Sequence, residues 1–200
     1  MATMEVDHGD LHWWWQADLR AEMLDAVSHH FTGRPSSPDV DRVLATVLFT
    51  DLVSSTERAA AMGDKRWREI LDEHDALIGR ELDAHRGSLV KTTGDGIVAT
   101  FDAPARAIRC AEAIEKQVDS LGLRMRAGIH TGEIERREND IAGLAVHLAA
   151  RIAALANAGE ILVSRTVRDL VVGSSLRFSE RGEYDVKGVP ASWQLFAAHS

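Results

Sequence analysis

Asp51 closes the apolar run VLATVLFTD, and Asp95 sits between two glycines in KTTGDG. If adjacent strands bring them side by side, two such carboxylates form a hard oxygen site of the kind that suits magnesium or manganese. The segment after Asp51, LVSSTE, offers Ser54, Ser55 or Thr56 as a helix cap. A carboxylate beside the free N–H groups of a helix start suits a metal-carried triphosphate, which places Ser55 and Thr56 in a binding segment. Further along, Asp140, His147 and Arg151 fall at spacings of seven and four in NDIAGLAVHLAARI. On one helix face, away from the leucines, they could meet a base and a phosphate. Each motif also has an ordinary structural reading: a strand-end aspartate, a good turn, a solvated helix stripe.

The rest of the composition narrows the field. Two hundred residues, 45% apolar, can bury one sizeable core and leave little for a second domain. A net charge of −8 argues against a nucleic-acid partner, because phosphate neutralisation needs clustered Lys and Arg. Any nucleotide bound is expected to be small and carried by metal. The single cysteine, Cys110, lies with Ile108, Ala111 and Ile114 on one helix face, so it reads as a core thiol in a reducing compartment. No run approaches the roughly 18–20 apolar residues of a membrane span, and Met1–Asp10 is polar and acidic. The expectation is a cytoplasmic chain with no stable membrane insertion.

The elements that must position these residues follow from periodicity. Residues 1–40 read as a helical extension and linker: Leu19, Met23, Val27 and Phe31 recur at i, i+4, and GRPSSPD follows. Trp13, Trp14 and Trp15 are expected to bury against the chain's own domain or a dimer mate. VLATVLF suits a central strand. Residues 64–86 show helical spacing with Gly87 as the stop, and SLVKTT and IVATF flank the GDG turn as a hairpin. Residues 104–121 return to helix, capped by Gly122. LRMRAGIH alternates as a strand, with Arg124 and Arg126 on its polar face. A third helix is expected over 141–156, with Leu144, Leu148, Ile152 and Leu155 inward. GEILVS and RTVRDLV follow, and short strands are expected near 176–186 and 193–197. Two strand–helix–strand units with hairpins imply an α+β fold, a ferredoxin-like βαββαβ sheet layered with helices.

Taken in order, FTDLVSST, KTTGDG, RAGIHTGE (126–133), GLAVHLAARI (143–152) and VKG (186–188) resemble the catalytic domain of class III adenylyl and guanylyl cyclases, over residues 43–198. The resemblance implies that Asp51 and Asp95 bind two Mg2+ or Mn2+ ions per site, with the carbonyl of Leu52 as a further ligand. It matches Lys91 and Asp140 to the base-selecting pair, lysine donating to a ring nitrogen of adenine and aspartate accepting from its exocyclic amine. Guanylyl cyclases of the family carry glutamate and typically cysteine there, so the resemblance implies ATP as substrate. Arg151 matches the arginine that stabilises the transition state, and Arg126 and Lys187 match phosphate-binding positions. His147 stands where well-known members have an asparagine that positions the ribose, and Ser54 replaces a frequent glycine.

The implied activity is an adenylyl cyclase making 3′,5′-cyclic AMP and pyrophosphate. The implied assembly is a homodimer, with metal carboxylates from one chain and Lys91, Asp140, His147 and Arg151 from the other. The alternatives are a guanylyl cyclase, or a catalytically silent nucleotide-sensing or dimerisation module.

Overall fold

Strand β1 (Arg42–Leu52) is mostly apolar because both of its faces are covered: Val47 and Phe49 join one buried cluster, Leu48 and Leu52 another. It is flanked by β3 (Ile97–Phe101) and β4 (Met125–Arg137), both antiparallel to it. In this computed structural model the described residues are 41–137, 140–185 and 192–199. The expectations for residues 1–40, and Lys187 with the VKG segment, lie outside them.

Between β1 and β3 come α1 (Ser55–Met62), α2 (Asp64–Ala84) and β2 (Ser88–Thr92), with β2 and β3 forming the expected hairpin. After β3, α3 (Pro104–Ser120) leads into β4, then β5 (Asp140–Ala142), α4 (Leu144–Leu155), β6 (Ile161–Ser164), α5 (Arg165–Leu170), β7 (Arg177–Asp185) and β8 (Ser192–His199). The sheet order is β2-β3-β1-β4-β6-β8-β7, with β5 paired to the end of β4. The first four strands with α2 and α3 make up the expected βαββαβ unit. A parallel β4–β6 pair then extends it, joined through α4.

The two sheet faces differ in what covers them. Leu77, Ile78 and Leu82 of α2, Ile108, Cys110 and Ile114 of α3 and Val167 of α5 pack on the face that carries Leu48, Met125 and Ile129. Helix α4 lies on the opposite face, with Ala145, Ala149 and Ala153 against Val47, Phe49 and Val98. Cys110 is fully buried, and burial pushes its thiol up to about 12, which makes it the inert core residue expected.

The ends of the helices refine the sequence reading. Gly122, at φ 73°, caps α3 as expected, with Leu123 N–H bonded back to Val118 O. At the end of α2 it is Arg86, at φ 56°, that takes the left-handed position, while Gly87 N–H bonds to Leu82 O. Glycine is needed at 87 for a different reason: a Cβ there would come within 2.6 Å of the Phe101 ring.

Candidate active site

The β1–β4 register sets Asp51 directly opposite Arg126. The Nε and Nη2 groups of Arg126 donate to Asp51 Oδ2 at 2.9 and 2.5 Å, and both side chains are about one-third exposed. On the other flank, Thr50 faces Ile97, whose N–H donates to Thr50 Oγ1 at 3.2 Å. The GDG turn therefore lies against the backbone of β1. A Cβ at Gly96 would stand 2.0 Å from the Thr50 carbonyl oxygen, so only glycine admits this approach. Gly94 adopts φ 97°, and Thr93 N–H closes the turn on Gly96 O at 2.8 Å.

Asp95 is thereby brought within hydrogen-bonding reach of Asp51. Burial raises the Asp51 carboxyl above its ordinary range; Arg126 opposes this by hydrogen bond and charge, and the like charge of Asp95 adds to it. Two adjacent carboxylates, one already holding a guanidinium, are a cation-seeking oxygen set that fits magnesium or manganese. Leu52 turns its side chain into the core, so its contribution to a metal would be its carbonyl. Among the described residues no cluster of three or more His, Cys, Asp or Glu could hold a metal. An ion here would complete its shell with backbone, water or substrate oxygens.

Ser54 precedes α1 in the left-handed region, φ 58° and ψ 32°, and its side chain makes no capping bond. The expected serine cap is absent, and the backbone shows why glycine is common at this position. Ser55 and Thr56 begin α1, whose first-turn N–H groups have no partners within the helix. The loop is anchored by Val53 N–H to Arg124 O at 2.8 Å and by Arg58 Nη1 to Gly122 O at 2.6 Å.

Asp140 is not on a helix face with His147 and Arg151. It lies in β5, opposite Arg137, and Gly143 at φ 117° separates that strand from α4. Its Oδ2 accepts from Lys91 Nζ at 2.8 Å, while Oδ1 accepts from Ile141 N–H at 2.8 Å. The pair singled out by the family resemblance thus meets in space, with Lys91 delivered by β2.

His147 and Arg151 sit one turn apart on α4, both half-buried. Burial lowers the Arg151 guanidinium from its ordinary value, though an arginine stays charged. Leu148 and Ile152 pack inward as expected, but Leu144 is 51% exposed. The inward positions at this end belong to small residues instead. A Cβ at Gly128 would lie 2.1 Å from Ala153 N, and one at Gly132 would lie 2.9 Å from the Ala145 Cβ. Alanines on α4 and glycines on β4 therefore let the helix backbone come down onto the strand. The alanines around Arg151 reflect this approach, and their i, i+4 spacing was the available signal.

Under α4, the buried His130 contacts Ser164 Oγ through Nδ1 at 2.7 Å and meets Trp193 edge-on, with centroids 5.6 Å apart. Burial lowers its pKa to about 4, so it is a neutral core imidazole. No described helix is long and apolar enough to cross a membrane.

Comparison with known proteins bears on this geometry. Residues 38–198 match the family model described as adenylate and guanylate cyclase catalytic domain. Over 165 residues the chain is 27% identical to the adenylate cyclase of Glutamicibacter nicotianae, covering 82% of this chain and 40% of that one. It spans 22% to 40% of the length of the first curated relatives that it matches. Among solved structures it resembles the adenylyl cyclase CyaB from P. aeruginosa, with a TM-score of 0.76 at 22% identity, over 82% of this chain and 97% of that one. It also resembles the guanylyl cyclase Cya2, with a TM-score of 0.68 at 25% identity, over 80% and 94% of the two chains. With most of its length matched by the family model, this chain belongs to the adenylate and guanylate cyclase catalytic domain family.

Proposed function

We propose that the domain cyclises ATP to 3′,5′-cyclic AMP and pyrophosphate. The observation that carries this reading is the 2.8 Å contact between Lys91 Nζ and Asp140 Oδ2, two residues far apart in sequence. Together they present a donor and an acceptor, the pattern that complements a ring nitrogen and the exocyclic amine of adenine. Guanine offers the inverse edge, which neither group complements.

Asp51, Asp95 and the Leu52 carbonyl would hold Mg2+ or Mn2+. When bound, two such ions would supply charge that lowers the pKa of the ribose 3′-hydroxyl and balances the departing pyrophosphate. Arg126, Lys187 and the first turn of α1 at Ser55 and Thr56 bind the triphosphate. His147 orients the ribose through a hydrogen bond in place of an asparagine amide. Arg151 meets the charge that develops on the phosphoryl oxygens, where a fixed donor out of bulk water acts most strongly. The active unit is a homodimer with two equivalent sites, each taking its carboxylates from one chain and Lys91, Asp140, His147 and Arg151 from the other.

Incubation of the purified protein with manganese and either ATP or GTP, followed by identification of the cyclic product, tests the reading. Cyclic AMP in clear excess is the expected result. Cyclic GMP alone, or no cyclic product from either nucleotide, contradicts it.

A further inference from the structure

Arg126 is fixed on β4 directly across from Asp51, and two of its nitrogens converge on a single oxygen, Oδ2. A divalent ion ligated by that oxygen would compete with the guanidinium for its lone pairs and its charge. Two guanidinium N–H groups already on Oδ2 leave that oxygen a poorer metal ligand than a free one. The pair is also one-third exposed on both sides, so water and ions reach it, and an ion pair of that exposure is readily exchanged. One guanidinium thus offsets one of two adjacent carboxylates, whereas a divalent ion would offset both.

We propose that Arg126 is a tethered counter-ion that occupies Asp51 until a divalent cation displaces it, and that this displacement releases its guanidinium for an incoming triphosphate. The inference rests on the assignment of Asp51 and Asp95 as the metal-holding pair. It goes further by making phosphate capture contingent on metal entry: the same side chain serves the carboxylate first and the phosphate second.

The test is a titration of Mn2+ into the full chain without nucleotide, following loss of the free-ion electron paramagnetic resonance signal. Arg126→Gln should bind Mn2+ about tenfold more tightly than the unaltered protein, since a competing positive charge has gone. Asp51→Ala should lose the site. If Asp51→Ala loses it while Arg126→Gln binds no more tightly than the unaltered protein, the counter-ion proposal is wrong and the metal assignment stands. If Asp51→Ala binds Mn2+ normally, the metal assignment itself fails. A second measurement needs no variant: addition of Mg2+ should abolish the chemical shift that the Arg126 Nε group takes when paired with Asp51. Its persistence at saturating Mg2+ overturns the proposal.

Discussion

The two halves of the candidate site are built by different means. Asp51 and Asp95 are placed by backbone: the β1–β4 register, the Thr50–Ile97 pairing, and a glycine that lets one chain segment lie against another. Lys91 and Asp140 are placed by side chains that reach between β2 and the three-residue strand β5. His147 and Arg151 ride on a helix seated by alanine-to-glycine contact. The carboxylate half should therefore tolerate little variation in position, whereas the half proposed to read the base should accept other side chains and with them another specificity.

The largest expected effect separates chemistry from folding. Asp51→Ala or Asp95→Ala should lower turnover at least about a thousandfold, in the range for loss of a principal electrostatic contributor, while circular dichroism stays unchanged. Near-full activity in either variant would remove the metal assignment. Next in size is the base-reading half: Lys91→Glu with Asp140→Cys should shift the ATP/GTP ratio of kcat/KM toward GTP by about a hundredfold, each unpaired polar group costing about 1–3 kcal/mol. An unchanged ratio would show that other groups read the base.

Acid should act on the seat of α4 through His130. Its folded pKa, about 4, lies below the ordinary 6.5, so the unfolded chain takes up a proton first as pH falls. Stability is then lost between pH 6.5 and about 4, by up to about 3 kcal/mol at 1.36 kcal/mol per unit. Urea unfolding of His130→Asn across that window should show a flatter acid limb, and an identical limb would assign the loss elsewhere. The smallest effect is at Ser54: Ser54→Gly should stabilise by about 1 kcal/mol or less, because left-handed strain is relieved against a gain in unfolded-state entropy. A thermal melt shifted downward would contradict this.

How far the sequence foretold these halves follows the same division. The βαββαβ order and the GDG hairpin were legible, because they rest on strand patterning and turn chemistry; the nearness of Asp51 to Asp95 was conditional on strand adjacency and was implied only by the family resemblance. Asp140 was misplaced onto the following helix because β5 has only three residues and presents no period of its own. Leucine outranks alanine in any hydrophobic pattern, which points Leu144 inward; the glycines of β4 reverse that order. Arg126 was recognisable as a polar-face residue. Its pairing with Asp51 depends on strand register, which a single sequence does not state.

The claim that binds the two halves is that they meet on one nucleotide only across two chains, and subunit mixing tests it directly. Asp51→Ala and Arg151→Ala, each inactive alone, should regain activity when combined, because a heterodimer carries one site with both lesions and one with neither. Demonstrated subunit exchange without returning activity would contradict the shared-site account.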